Sequence, residues 1–245
     1  GSEMCIRDRF NDIFIPYIGL RGGLQQATFK SLSQTNEFML DNVNMLNEST
    51  PIDFYGGIKG TLSKRISFNA GISFANVKNK ALFITDTTYS LGNRYAVIFD
   101  TLNRTTVEGS ISYQLKEKLK IDALGKFYSY NLLNSSYAWN LPRLQFILRG
   151  SYNLFDKFIF RADLNIEEGR KALVYSAGED VKLENGQFVK TLGFLADANI
   201  GVEYRYNNRI SAFVVFNNVA SQRYMRWYNA PVHAFQVMGG ITYRF

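Results

Sequence analysis

The residues best suited to chemistry in this sequence form one short run near its C-terminus. Residues 222–228 read Gln-Arg-Tyr-Met-Arg-Trp-Tyr, and no other stretch is as dense in guanidinium groups and aromatic rings. Guanidinium groups make paired hydrogen bonds to carboxylates, and aromatic rings stack on planar or cationic groups. The run therefore predicts one of two things. It is either a loop that packs against the rest of the protein through its own rings, or a site that captures a polar ligand such as a sugar or a carboxylate. The ligand-facing candidates are Arg223, Tyr224, Arg226, Trp227 and Tyr228.

Residues for catalysis or metal binding are scarce. The sequence has one His, His233, and one Cys, Cys5, so a transition-metal site and a Cys/His nucleophile pair both lack partners. We interpret His233 as an interfacial residue. No Gly-x-Ser-x-Gly motif of the serine hydrolases occurs. The sequence predicts a protein that is not an enzyme and that uses no cofactor or metal.

The net charge of +7 raises the question of nucleic-acid binding. Lys and Arg do not form a basic block, however, and they alternate with Asp and Glu on the same predicted strand faces. We therefore expect no nucleic-acid partner.

The candidate residues must be positioned by the rest of the chain, in which apolar residues recur at every second position, as in β-strands. The predicted strands are residues 13–26, 52–62, 66–76, 105–115, 119–132, 142–154, 158–167, 192–206, 209–219 and 232–245. Tight turns alternate with long connections, as in outer-membrane barrels, whose short turns are periplasmic. Connection 77–104 has apolar pieces that predict a hairpin projecting beyond the membrane, and connection 168–191 contains Asn185-Gly186, a strong hairpin signature.

One face of every predicted strand is apolar and carries no Lys, Arg, Asp or Glu at its centre. Each such charge at the bilayer midplane would cost about 2–4 kcal/mol, whereas a solvated sheet face could carry several. No stretch approaches the 18 or so apolar residues of a membrane helix. The sequence therefore predicts an all-β, transmembrane, up-and-down antiparallel β-barrel of about ten strands.

The opposite strand face carries charges of both signs. It predicts either a selective pathway through the barrel or a ladder of cross-strand ion pairs that stiffens the wall. Both tryptophans, Trp139 and Trp227, fall in or beside long connections, so Trp139 is a further ligand-facing candidate. Aromatic rings near the short-turn ends predict a membrane-interface girdle formed by Tyr113, Tyr152, Phe158, Tyr204, Tyr206 and Tyr243.

The C-terminal sequence resembles that of TonB-dependent outer-membrane receptors. Asn217 to Tyr224 resembles the end of that family's penultimate strand, and Phe235 to Phe245 resembles its last strand, which closes on Tyr-x-Phe. Val219-Ala220-Ser221 and His233-Ala234 depart from the usual motifs. The C-terminal signature positions are Phe235, Val237, Ile241, Tyr243 and Phe245. The richness in Asn, Tyr and Lys resembles proteins of the Bacteroidota.

The resemblance implies a barrel of about 22 strands filled by an N-terminal plug. It also implies energised import of a scarce ligand, such as an iron chelate, a corrinoid or a glycan. The expected location is the bacterial outer membrane, with the C-terminus in the periplasm. The expected partners are outer-membrane lipid, the barrel-assembly machinery, the TonB system through the N-terminal part, and a surface lipoprotein.

The N-terminal residues 1–9 read Gly-Ser-Glu-Met-Cys-Ile-Arg-Asp-Arg and resemble translated cloning or adapter sequence. We interpret them as non-native, and residues 10–245 as a truncated barrel segment without the plug domain. The alternative is a complete ten-stranded barrel that acts as a pore or a surface-binding protein, in which residues 13–26 would pair with residues 232–245.

Overall fold

The structure is a computed structural model that describes residues 4–6, 14–90 and 92–244. Its elements, in chain order, are β1 (Met4–Ile6), β2 (Ile15–Gln25), α1 (Phe29–Thr35), β3 (Glu48–Ser63), β4 (Ile66–Thr85), β5 (Tyr95–Leu115), β6 (Leu119–Leu132), β7 (Leu144–Leu154), β8 (Phe158–Glu168), β9 (Lys171–Val174), β10 (Val181–Glu184), β11 (Gln187–Thr191), β12 (Leu195–Arg205), β13 (Ile210–Asn217), β14 (Met225–Trp227), β15 (Ala230–Pro231) and β16 (Gln236–Tyr243).

One antiparallel sheet contains β1 to β8 in sequence order, then β12, β13 and β16. Its ten strands of eight residues or more correspond one to one with the ten predicted strands, which confirms the all-β up-and-down architecture. β1 lies within residues 1–9 and pairs with Ile18 to Leu20 of β2. β9 to β11 form a separate sheet, in which Asn185-Gly186 makes the predicted hairpin, and β14 pairs with β15.

The register brings the apolar residues of neighbouring strands onto one face. Phe54 lies opposite Phe74, and Ile72 lies opposite Val107, which in turn faces Phe127. The same face continues across the sheet through Leu148, Leu164, Ile200, Val202, Val214, Val237 and Ile241. No charged residue shares these central positions on the described strands, so this face suits lipid.

The final strand is shorter than predicted. Residues 232–235 of the expected strand 232–245 lie outside β16, which begins at Gln236. The chain leaves the sheet at this point because the preceding residues are held elsewhere: Ala230 and Pro231 pair with β14, and the Asn218 amide donates to the carbonyl of His233.

Two strands are much longer than a membrane crossing requires. β4 and β5 contain 20 and 21 residues, whereas a tilted strand crosses a bilayer in about 9–11 residues. Their outer halves, residues 77–85 and 95–104, pair as the projecting hairpin that the sequence predicts. Residues 26–47, between β2 and β3, contain α1, which is capped by reciprocal bonds between Thr28 and Ser31. No helix among the described residues is long and apolar enough to span a membrane.

The buried core lies at the long-loop end of the sheet. We call this region the long-loop cap; it comprises α1, the outer half of the β4–β5 hairpin, the β6–β7 connection, β9–β11 and β14–β15. One cluster joins Leu32, Met39, Phe83 and Tyr95 on one side of the hairpin. A second joins Leu82, Trp139 and Val189 on the other side, because successive strand residues point to opposite faces. The cap is therefore a packed structure at the long-loop end of the sheet.

The sheet is open along one edge of its last strand. Within the described residues, β16 pairs with β13, and no ladder joins β16 to β1 or β2. An exposed strand edge carries unpaired N–H and C=O groups, which lipid cannot satisfy.

Candidate functional site

The predicted capture loop, whose candidate run is residues 222–228, lies against the outer hairpin. The Trp227 ring packs edge-on against Phe83, with ring centroids 5.1 Å apart, and lies 5.8 Å from the ring of Tyr95. The Tyr95 hydroxyl donates to the carbonyl of Tyr228, and burial raises the pKa of that hydroxyl. Trp227 thus anchors the loop to residues more than a hundred positions earlier in the chain.

A second anchor of this loop is Arg170, between β8 and β9. Its side chain is 2% exposed and donates to the carbonyls of Met225, at 3.0 Å, and Arg226, at 2.8 Å. Burial lowers the pKa of the Arg170 guanidinium, since it forms no ion pair with another described residue. The sequence did not single out Arg170, because a run of Glu, Gly, Arg and Lys is typical of a solvated loop.

The remaining loop candidates point in different directions. Arg223 and Arg226 are exposed, whereas Tyr224 and Tyr228 are half-buried. The ammonium group of Lys190 lies 5.8 Å from the centre of the Tyr228 ring. The loop therefore combines fixed rings with free guanidinium groups, and the free groups are the ones that could reach a ligand.

Trp139 is buried on the Leu82 side of the hairpin. It is 2% exposed and packs against Leu82 and Val189, with the Tyr137 ring 5.3 Å away. The next residue, Asn140, donates to the carbonyl of Phe83 at 2.7 Å. Trp139 packs mainly against Leu82 and Trp227 against Phe83, and both tryptophans also line one small cavity of about 120 Å³ together with Phe99 and Leu141.

The base of the loop is held by Asn218, which adopts a positive φ of 48° and is 4% exposed. Its side-chain amide donates to the carbonyls of Gln222 and His233, both at 3.0 Å, and its side-chain oxygen accepts from the Gln222 N–H. Its own N–H donates to Asn199. These bonds explain an Asn at this position of the C-terminal motif.

Replacing Asn218 with Ala is expected to lower the free energy that holds the loop in place by about 1–3 kcal/mol, because three backbone groups of Gln222 and His233 lose their partners. Amide exchange of residues 222–233 should quicken by about tenfold or more. Asn217→Ala, the neighbouring substitution, is the matched control. Equal exchange in the Asn218 and Asn217 variants would contradict this role.

The connection between β6 and β7 is tied to the hairpin by Asp100, which is 2% exposed. Its carboxylate accepts from the N–H groups of Ser135, at 2.6 Å, and Thr101, at 2.7 Å, and from Asn134. Burial alone would raise the pKa of Asp100, but the bonds from Ser135, Thr101 and Asn134 outweigh it and lower the pKa.

The lowered pKa of Asp100 makes the cap acid-sensitive. A carboxyl group with a folded-state pKa below its unfolded value stabilises the fold above about pH 4, and this contribution is lost as pH falls through the folded-state pKa. In a Trp227→Phe background, Trp139 fluorescence should report cap opening in acid. Asp100→Asn should open the cap at neutral pH, since the Asn amide group cannot accept all these bonds. The exposed Asp41→Asn variant should behave as wild type; an unchanged acid transition in Asp100→Asn would contradict the assignment.

The small sheet β9–β11 is fixed to the cap by a polar cluster. The Lys171 ammonium group and the Tyr137 hydroxyl both contact Glu184 Oε2, at 2.8 and 2.5 Å. The bonds from Lys171 and Tyr137 lower the pKa of Glu184. Lys171 also lies 3.8 Å from the centre of the Tyr137 ring. Each polar group of this cluster has its partner within the cluster, so we assign the cluster a structural role.

The polar face of the sheet carries paired charges. Arg21 bonds to Asp53 at 2.7 Å. The other ion pairs on this face are Lys120 with Asp122, Lys126 with Glu108, Arg149 with Asp163, and Glu203 with both Arg161 and Arg205. The pattern favours the wall-stiffening ladder over a charge-selective pathway. No group of three or more candidate metal ligands occurs among the described residues.

The C-terminal signature residues have distinct positions. Val237, Ile241 and Tyr243 lie on the apolar face and are 55%, 78% and 52% exposed. Phe235 lies before β16, and its ring stacks on Phe216 with centroids 6.1 Å apart. Phe245 lies outside the described residues.

Comparison with known proteins agrees with this architecture. No family model and no curated protein matches the sequence. Solved structures that share its fold include TonB-dependent outer-membrane receptors.

Three of these structures illustrate the likeness. The ferripyoverdine receptor of the outer membrane of Pseudomonas aeruginosa, bound to ferripyoverdine, superposes with a TM-score of 0.67 at 16% identity, over 99% of this chain and 32% of that chain. The siderophore receptor PiuA from Acinetobacter baumannii gives 0.59 at 12% identity, over 98% and 35%. The copper transporter OprC gives 0.63 at 13% identity, over 99% and 39%. The chain thus spans 32–39% of the length of these three proteins.

Proposed function

We propose that this chain is the C-terminal part of the barrel of a TonB-dependent receptor in the bacterial outer membrane. The observation that carries the proposal is the ten-stranded sheet with a charge-free face and a likeness to receptor barrels along its whole length. In this proposal the short turns and the C-terminus are periplasmic, and the long-loop cap is extracellular.

The open edge of β16 supports a larger barrel. In lipid, its unpaired backbone groups need a neighbouring strand, and within the described residues neither β1 nor β2 provides it. Further strands and a plug domain, which would contact the TonB system, belong to the part of the receptor outside this sequence. The complete ten-stranded barrel requires β16 to pair with β2.

Disulfide formation in the full-length gene product distinguishes the two arrangements. Tyr17→Cys is combined in turn with Gln236→Cys, Met238→Cys and Thr242→Cys, whose side chains lie on the polar face. None of these pairs should cross-link. The positive control is Val215→Cys with Met238→Cys, which are neighbours in β13 and β16. A disulfide between positions 17 and 238 would establish the closed ten-stranded barrel and overturn the proposal.

The proposed activity is energised import of a scarce ligand, namely an iron chelate, a corrinoid or a glycan. The three classes share polar groups that exposed guanidinium side chains can bind. Arg223 and Arg226 present such groups on a loop whose base is fixed by Asn218 and whose middle is fixed by Arg170. A fixed loop binds with little ordering cost. A surface lipoprotein and the barrel-assembly machinery are the further partners in this proposal.

Replacing Arg226 with Ala is expected to lower uptake at limiting ligand by about tenfold, through the loss of one charged contact. The measurement is uptake by cells that express the full-length protein at equal surface density. Arg94→Ala, which removes an exposed guanidinium from another part of the hairpin, is the control. Equal uptake by the Arg226 and Arg94 variants would show that the loop only packs against the cap and does not contribute to ligand binding.

A further inference from the structure

The positive charge of this chain is concentrated at the short-turn end of the sheet. The four tight turns and the residue after β16 carry seven cationic side chains, which we call the short-turn collar: Lys64, Arg65, Lys116, Lys118, Lys157, Arg209 and Arg244. The same turns carry two acidic residues, Glu117 and Asp156. This end therefore contributes a net charge of +5 to a chain whose total is +7.

The collar cations lack ion-pair partners within the part of the chain that the structure describes. All seven side chains are exposed, and none forms an ion pair with another residue that the structure describes. The cations of the polar sheet face differ, because most of them are paired with carboxylates. A row of unpaired cations repels itself, so its natural complement is an anionic surface.

The backbone places one collar cation at the same point of every tight turn. Arg65, Lys118, Lys157 and Arg209 are each the last residue before the next strand. The carbonyl of each accepts an N–H from a neighbouring strand, at 2.7 to 2.8 Å. Successive turns are two strands apart, about 9–10 Å. The cations therefore form a regular row along the sheet edge, too widely spaced to converge on one small anion.

Aromatic side chains lie at the same level on the lipid face. Phe158 directly follows Lys157, and its ring lies 4.8 Å from that of Tyr204. Phe155 and Tyr206, both in the turns, are 85% and 65% exposed. Rings of this kind mark the boundary between lipid tails and headgroups. The collar cations next to them are therefore at the depth of the headgroups.

We propose that the short-turn collar binds the headgroups of anionic phospholipids in the leaflet at the short-turn end of the barrel. Each Lys or Arg near an anionic membrane surface strengthens binding by about fivefold. The collar thereby holds the short-turn end at a fixed depth. This inference needs the chain to span a membrane, but it does not depend on which ligand is transported.

The test uses the full-length protein in mild detergent with phosphatidylglycerol and phosphatidylcholine in equal amounts, and native mass spectrometry to count the lipids retained. Wild type should retain phosphatidylglycerol at least about tenfold over phosphatidylcholine. The variant K64Q/R65Q/K118Q/R209Q should retain both lipids equally. The matched control K30Q/K78Q/R94Q/K182Q removes four exposed, unpaired cations from the long-loop end and should keep the wild-type preference.

Three results would overturn the inference: equal retention of the two lipids by wild type, an unchanged preference in the collar variant, or a preference abolished by inorganic phosphate at millimolar concentration. The last result would indicate a site for a free anion. Electrophoretic mobility without heating checks that the variants are folded. If the fourfold variant does not fold, K118Q/R209Q is measured instead, and it should lower the preference by about tenfold or more.

Discussion

Replacing Trp139 with Ala should destabilise the long-loop cap by about 3–5 kcal/mol, the usual cost of removing a large buried ring. The ring is 2% exposed and fills the space between Leu82 of β4, Val189 of β11 and the ring of Tyr137. The large sheet has its own ladder of strand pairs and should remain folded. The loss is therefore local to the cap.

Hydrogen exchange measured by mass spectrometry separates these two regions. Amides of β11 and of the outer half of β4 should lose protection by about a hundredfold or more, since 1.4 kcal/mol corresponds to a factor of ten. Amides of β7 and β8 should be unchanged. Tyr89→Ala removes another ring from the same hairpin, but one that is 73% exposed, and should have little effect. Full protection of β11 in the Trp139 variant would show that the ring does not hold the cap together.

Replacing Arg170 with Met should release the loop of residues 222–229. The free energy that holds this loop against the cap should fall by about 3 kcal/mol. Hydrogen bonds to a charged donor contribute about 1.5–3 kcal/mol each, and Arg170 makes two of them to carbonyls of β14. Part of the loss is offset because a buried guanidinium no longer needs to be desolvated. Met keeps a similar side-chain volume, so packing is largely retained.

Trypsin provides the readout for this release, because Arg223 and Arg226 are themselves exposed cleavage sites. Cleavage at these two positions in the folded protein should be about a hundredfold faster in Arg170→Met than in wild type. Cleavage after Lys116, at the opposite end of the sheet, is the internal control. Arg170→Lys keeps the charge without the planar pair of donors and should give an intermediate rate. Equal rates in all three proteins would contradict a role for Arg170 in holding the loop.

The two tryptophans show where sequence patterns stop being informative. Both belong to the long-loop end, as their positions between predicted strands indicate. Whether each ring faces solvent or the cap depends on contacts with Phe83 for Trp227 and with Leu82 for Trp139. Phe83 and Leu82 are adjacent in the sequence, yet they point to opposite faces of the hairpin. No local pattern around either tryptophan encodes that difference.

Arg170 and Asn218 show the same limit of sequence patterns for polar residues. Asn218 belongs to a recognisable C-terminal motif, but the motif does not state which carbonyls its amide contacts. Arg170 lies in a run of Glu, Gly, Arg and Lys that has the composition of an exposed loop, although the side chain is buried. A buried cation of this kind becomes evident only when its acceptors, 55 and 56 residues away in the chain, are brought to it.

The sequence by itself determined the ten long strands, their order, the tight turns between them and the face that carries no charge. These features follow from a period of two and from the cost of a charge in lipid, which are properties of each strand alone. Only the tertiary structure decided how the long loops pack into a cap, where the last strand begins, and which candidate side chains remain exposed. Those features depend on contacts between residues far apart in the chain, whose partners a local pattern does not specify.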